Sequence, residues 1–574
     1  MDIAPTKEEI ITLFARGEKL VREMARRFGV SARTDIQIIE ERFVTLHNEG
    51  TIDLLTLVEV GEFQRLQGTA FFAASYFLCC LLPKLNTTPD RMMRCVDELV
   101  TRGGQDGAAN EPNAAFREWC AVVPGRAKEV IAAAHAGHEL ACQHLSFALE
   151  AVDDLIEARR FTFEYVGLRR QAAITALGRM KHQNTDSCAE TFAIFNTLLD
   201  NGIEDSVRAG VLLAVMQILA RDCGVSPENA EMLISRLVST PGPLTLHQCA
   251  RVLWAYRLAL TENIVAFLLE ALISLDSDNK GTVESLDLGL RALLEHGYED
   301  AAVSFVTMLL SLSDNRLNLE ELDSFTQAVL SGPPDLFSRL VVQWLQLGSP
   351  RLCGGLAKAI QGPGLDGVPL TLKAEDLNLS PATQLFICRK AVGWFFFKPT
   401  TAASVLVSVL RVCEEATARE VERLLVDPLL KNYGGVRDYL ENLAPDDAAS
   451  KSVVWALAQN DADLEAQRSV PLILELQPSE HHRRIESLRI SDQFRDGHKQ
   501  AQSGSVLLSM VSRSVLLYGN RSISFVDDGQ DKLRPMEIDL HSHGISFEMP
   551  RMEVVDPVGL DYTLRVFRKE AMEK

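Results

Sequence analysis

The sequence predicts a mainly α-helical chain, a right-handed α-solenoid of stacked helical hairpins closed by a small antiparallel β module. Three observations carry that prediction. Apolar residues recur at helical spacing through most of the 574 residues. Units of about 30–36 residues, each reading helix, turn, helix, turn, follow one another between residues 165 and 470. After residue 503 the apolar period changes from helical to alternating.

Composition narrows the class. With 47% hydrophobic and 24% charged residues the chain is a folded protein, not a disordered one. Only 35 Gly and 11 Cys exclude collagenous and disulfide-scaffold folds. The length allows three or four domains, or one elongated array. The net charge of −20 is uneven: residues 1–50 carry −1, residues 471–574 carry −2, and residues 51–470 carry −17. An acidic middle repels phosphate backbones and favours a basic protein partner, so nucleic acid is not the expected ligand there.

The opening residues, MDIAPTKEEIITLF, lack the basic start and apolar core of a secretory leader. The most apolar stretch, residues 69–82, is too short for a bilayer, which takes roughly 20 residues. It is expected as a buried helix, with no membrane role. The cysteines are scattered, odd in number and form no CxxC, which suggests reduced thiols and a cytoplasmic location.

Residues 1–160 read as an N-terminal helical domain, with a flexible interruption at 103–114 (GGQDGAANEPNA). The array follows over 165–470. Residues 167–178 and 189–199 form one helix pair; residues 204–219 and 227–238 form the next. Later units cover 262–297, 298–332 and 333–362, with Gly or Pro marking their boundaries. The segments at 168–177 and 205–213 resemble the first-helix pattern of HEAT-type repeats, clearest over 165–240. That resemblance implies HEAT-like hairpins in which Asp205 and Arg208 bridge neighbouring repeats.

A polar connector at 478–504 leads to the β module at 505–570. There Met536, Ile538 and Leu540 alternate with polar residues, as do Ile545, Phe547 and Met549, and then Tyr562, Leu564 and Val566. Gly519-Asn520 and His543-Gly544 are expected hairpin turns, giving five or six strands.

Several clusters invite a functional reading. Residues 20–52, within a segment over 1–60, resemble the helix-turn-helix of winged-helix repressors. Gly29 would turn and Ser31 would cap. By that resemblance Arg33 and Thr34 would face DNA, with Arg26 and Arg27 near phosphates. Asp35, Glu40 and Glu41 make the reading helix acidic, which opposes DNA binding. Residues 276–287 resemble an EF-hand calcium loop, but Lys280 stands at position five and Asp287 replaces the usual Glu at twelve. A degenerate second loop at 313–322 has only Asp314 near its start.

His135, His138 and Cys142 would share one helix face, with His144 near, and form a candidate zinc set. A single helix seldom supplies a full tetrahedral site, so amphipathic packing competes with that reading. His541 and His543, and the run His481-His482-Arg483-Arg484, lack a partnered acid. Trp394, Phe395, Phe396 and Phe397 read as core. No phosphate-cradling loop, Gly-x-Ser-x-Gly elbow or HExxH is present. No catalytic residue and no cofactor is expected. The function expected is a non-enzymatic scaffold or adaptor subunit of a multiprotein complex, holding partners on an acidic helical-repeat surface. The alternatives are a DNA-associated regulator using the N-terminal helix-turn-helix, or an enzyme or sensor with an unrecognised site.

Overall fold

In the computed structural model, several helices begin at a capping side chain. Asp154 accepts from the Ile156 and Glu157 amides at 3.1 Å each. Asn184 accepts from Ser187 at 2.8 Å, and Thr261 from Ile264 at 3.2 Å. Each cap satisfies amides that a first helical turn leaves without intrahelical partners. Pro227 and Pro243 open two further helices, where no amide is needed.

The structure describes residues 5–28, 33–104, 110–221, 226–275, 277–312, 317–360, 367–471, 473, 475, 477–503, 521–527, 533–539 and 548–572. For residues 18, 25–28, 33–36, 334, 501, 521–527 and 533–539 it describes the backbone alone. Two compact units result, Met1–Phe337 and Ser338–Lys574.

In the first unit, the stretch expected as a buried helix forms Thr69–Leu81, burying Phe71, Phe77, Leu78 and Leu81. Among the described residues no helix is long and apolar enough to cross a membrane. Further on, helices alternate between two layers. One layer holds α1 (Glu139–Val152), α3 (Leu168–Arg179), α5 (Asp205–Leu219), α7 (Pro243–Ala255), α9 (Lys280–Glu295) and α11 (Asp323–Ser331). The other holds α2 (Leu155–Glu164), α4 (Thr185–Asp200), α6 (Pro227–Val238), α8 (Glu262–Leu272) and α10 (Glu299–Ser311). Each odd helix packs on the next odd one, and each even helix on the next even one. This is a helical-repeat arrangement, in which a hairpin buries its apolar face on its neighbours.

Close approach within the odd layer depends on two glycines. A Cβ on Gly178 would lie 2.7 Å from the Ala214 Cα of α5, and one on Gly289 would lie 2.8 Å from the Leu253 Cβ of α7. Helix α5 is correspondingly enclosed, burying Val207, Val211, Leu212, Val215 and Met216.

Within the second unit helices also alternate, through α12 (Pro381–Phe395), α13 (Pro399–Leu410), α14 (Glu415–Leu424), α15 (Gly434–Glu441) and α16 (Ser450–Ser469). Helix α12 packs on α14 and α14 on α16, while α13 packs on α15. An extended segment over 367–373 lies along α13. Three hydroxyls of that helix take its alternate amides: Val368 donates to Thr401 Oγ1 at 3.0 Å, Leu370 to Ser404 Oγ at 2.8 Å and Leu372 to Ser408 Oγ at 3.3 Å. Leu370 and Leu372 point inward, and Pro369 and Thr371 outward.

The end of the chain departs from the expected β module. The polar connector is a 24-residue helix, α17 (Glu480–Ser503), exposed along nearly its whole length. Only two strands lie among the described residues, β1 (Arg521–Asp527) and β2 (Leu533–Asp539). They are antiparallel, with Ser524 opposite Met536. The expected turns at Gly519-Asn520 and His543-Gly544 lie outside the described residues, as do Leu540, Ile545 and Phe547. Tyr562, Leu564 and Val566, expected as a strand, stand in α18 (Pro557–Lys569). Asp556 caps that helix by accepting from the Gly559 amide at 2.9 Å, and Leu560 and Leu564 bury one turn apart.

Helix α18 docks on α12. Arg389 holds Glu570 through two nitrogens at 2.8 and 2.6 Å, and the fully buried Lys390 donates to the Arg568 and Glu570 carbonyls at 2.8 and 2.6 Å. A buried ammonium set on the last carbonyls of a helix compensates its negative end.

Burial also predicts thiol chemistry. Among the described cysteines, Cys80 and Cys413 are partly accessible and the rest are buried. Burial pushes the Cys79 and Cys120 thiols up to about 12, far from the reactive thiolate. Maleimide labelling followed by peptide mapping should therefore modify Cys80 and Cys413 in the native protein and spare Cys79, Cys120 and Cys249 until denaturant is added. Fast native labelling of those three would contradict the packing.

Candidate functional site

A polar ladder runs along the odd layer. Gln171 of α3 donates to Ser206 Oγ of α5 at 2.9 Å. Asp205 reaches the start of α7, where its carboxylate accepts from the Gly242, Leu244 and Thr245 amides at 3.0, 2.7 and 3.2 Å and from Thr245 Oγ1 at 2.5 Å. His247 of α7 meets Thr282 Oγ1 of α9 at 3.3 Å. Asp287 of α9 accepts from the Ser324 and Phe325 amides at 2.8 Å each, capping α11. Burial alone would raise the Asp205 carboxyl, but the bonds from Thr245, Leu244 and Gly242 hold it below its ordinary range. Arg208 does not meet Asp205 in this ladder. It donates to the Arg236 and Leu237 carbonyls at 3.4 and 3.1 Å, at the end of α6.

The calcium-like segment is committed to this ladder. Asp287 spends both oxygens on α11, and Asn279 caps α9 through the Thr282 amide at 3.4 Å. Asp276 and Asp314 lie outside the described residues. Calcium at millimolar concentration should leave Tm unchanged, and a rise of several degrees absent with magnesium would overturn this assignment.

The candidate zinc residues are not brought together. His135 places Nδ1 at 2.9 Å from Tyr165 Oη and Nε2 at 2.5 Å from Glu157, tying α2 to the helix Pro124–His135. His138 caps α1 through the Ala141 amide at 3.4 Å, and Cys142 is buried against the Ala134 carbonyl at 3.8 Å. Among the described residues no three His, Cys, Asp or Glu side chains converge as a metal site. Arg26 and Arg27 stand in the helix Glu18–Phe28, and Arg33 and Thr34 open the helix Arg33–Asn48. Gly29 and Ser31, like His541 and His543, lie outside the described residues. His481 and His482 are on the exposed α17. Phe395 and Phe396 are buried, whereas Phe397 is exposed.

Sequence reasoning placed His144 only near the candidate zinc set and gave it no role of its own. It is 5% exposed, and neither ring nitrogen has a hydrogen-bond partner among the described residues. The rings of Phe116 and Phe147 lie 4.9 and 6.4 Å from it.

The two layers differ in charge. In the even layer, α4 carries Asp186, Glu190 and Asp200 with no basic residue. Helix α6 carries Glu228 and Glu231 against Arg236, α8 carries Glu262 and Glu270, and α10 carries Glu299 and Asp300. From α4 to α10 that layer therefore holds nine carboxylates and one guanidinium, while α3 to α11 of the odd layer hold seven basic and five acidic residues. Arg236 is itself engaged by Asn196 and Asp200 at 2.5 Å each.

Between α4 and α6 the even layer opens into a groove of about 370 Å³. Ala189 and Ala193, one turn apart, leave its α4 wall low, and Met232 forms part of the α6 wall. Such a surface can take an apolar side chain and attract positive charge.

No protein-family model matches the chain, and no curated protein matches it. A solved structure described as "Circular tandem repeat protein with novel repeat topology and enhanced subunit contact surfaces" is similar over 80% of this chain and 98% of its own. The identity is 13% and the TM-score 0.19, so that likeness defines neither fold nor function for this chain.

Proposed function

We propose that the chain is a non-enzymatic protein-interaction scaffold or adaptor, cytoplasmic, whose HEAT-like solenoid over 165–470 offers an acidic helix face to a basic partner. The segregation of charge between the two helix layers carries this reading. Carboxylates gathered on α4, α6, α8 and α10 create a field of one sign, which steers a basic partner and rejects acidic ones. Scattered solubilising charge would fall on both layers alike. Asp205 and the rest of the odd-layer ladder act, in this reading, as the rigid support beneath that face, with Arg208 tying α5 to the end of α6.

The test uses the full chain and one charge-reversed variant carrying Glu262→Lys, Glu270→Lys and Glu299→Lys. A partner captured from native lysate is identified, produced pure and titrated against both proteins at low and moderate salt. The affinity should fall with salt and fall further in the variant. Equal affinity for both proteins with no salt dependence would refute the scaffold face.

A further inference from the structure

We propose that the groove between α4 and α6 seats an apolar side chain of a basic peptide segment, whose flanking lysines or arginines face the rim carboxylates. This rests on the scaffold reading and narrows it to one place on the even layer. The groove, at about 370 Å³, falls in the size range of ligand-binding clefts. Its apolar character comes from Ala189, Ala193 and Met232, with the buried Phe192 also lining it. Met232 is 62% exposed, an apolar wall without a covering neighbour among the described residues.

The charge around the groove selects the occupant. Asp186 and Glu228 stand in the first turns of α4 and α6, at one end. At the other end the guanidinium of Arg236 is neutralised by Asp200. Glu190 is taken by Arg159, and Glu231 accepts from Thr261 Oγ1 and Asn263 Nδ2 at 2.6 and 2.8 Å. The remaining field is negative at the end bearing Asp186 and Glu228. An acidic or neutral segment would lose that attraction, and a purely hydrophilic basic one would leave the apolar walls wet.

Three fluorescent peptides of equal length test the assignment on the full chain: one of lysine and leucine, one of lysine and serine, and one of glutamate and leucine. The lysine–leucine peptide should bind on the order of tenfold more tightly than the lysine–serine peptide, the worth of about 1.4 kcal/mol. Both basic peptides should weaken with salt, and the glutamate–leucine peptide should bind least. The variant Ala189→Phe/Ala193→Phe fills the groove at two exposed positions without changing charge. It should abolish the leucine advantage and leave the lysine–serine peptide unaffected, and Met232→Ala should reduce that advantage.

If the leucine advantage survives in both variants, the groove is not the seat, although the acidic face stands. Tight binding of the glutamate–leucine peptide overturns the basic partner assigned here. A wild-type dimer that the filled variant converts to a monomer would give the groove to a second copy and overturn it equally. Salt-independent binding of both basic peptides would end the scaffold reading together with this one.

Discussion

Asp205→Ala should destabilise the first unit by about 2–3 kcal/mol, the combined worth of a lost helix cap and charge-assisted hydrogen bonds. The carboxylate takes three amides and a hydroxyl at the start of α7, and no water-exposed side chain can replace it at Thr245, which is fully buried. Asp205→Asn, which keeps one acceptor oxygen, should lose roughly half as much. The carboxyl's pKa is depressed in the folded chain, so its contribution is complete above its ordinary value of 3.8 and is lost as pH falls below it. Urea unfolding of the three proteins at neutral pH reads the effect. Identical midpoints for wild type and Asp205→Ala would show that the ladder does not hold the layer together.

His144 should impose a second pH dependence, in a different window. Burial pushes its pKa down to about 4 from an ordinary 6.5, with Asp97 offsetting a little of that shift. The unfolded chain therefore binds a proton between these values while the folded chain does not. Stability from this group is full above pH 6.5, declines as pH falls, and is gone below about 4. The loss amounts to roughly 3 kcal/mol at about 1.36 kcal/mol per pKa unit. His144→Leu removes the titrating ring, so its stability should fall much less across that window. Parallel pH profiles for wild type and His144→Leu would place the acid sensitivity elsewhere.

The helical layers were readable because their signals are local. Asp154, Asn184 and Thr261 precede apolar runs at helical spacing, and Pro227 and Pro243 mark first turns. The last segment misled because Tyr562, Leu564 and Val566 alternate while Leu560 and Leu564 also stand one helical turn apart. Asp556 followed by Pro557 was the deciding local signal, a cap and a first-turn proline. Helix α17 was hidden by its polarity. Arg489 with Glu486, and Arg495 with Asp492, pair along its surface instead of burying a face.

The candidate site was less legible, for reasons of distance along the chain. The −17 of residues 51–470 was plain, but the gathering of nine carboxylates against one guanidinium on α4 to α10 emerges only once alternate helices are paired. Ala189 and Ala193 read as ordinary helix formers. They line a groove only because Met232, some forty residues on, stands across from them. The solitude of His144 has no sequence signal at all, since it depends on Phe116 and Phe147 arriving without a polar group.

The hydroxyl row on α13 has a consequence for aggregation. Residues 367–373 are an extended, leucine-bearing segment, the kind that recruits strands from other molecules when its amides are free. Here Thr401, Ser404 and Ser408 occupy the amides of Val368, Leu370 and Leu372, while Pro369 has none to offer. A helix thus does for this segment what a neighbouring strand would do in a sheet, and leaves few donors for a foreign strand to take.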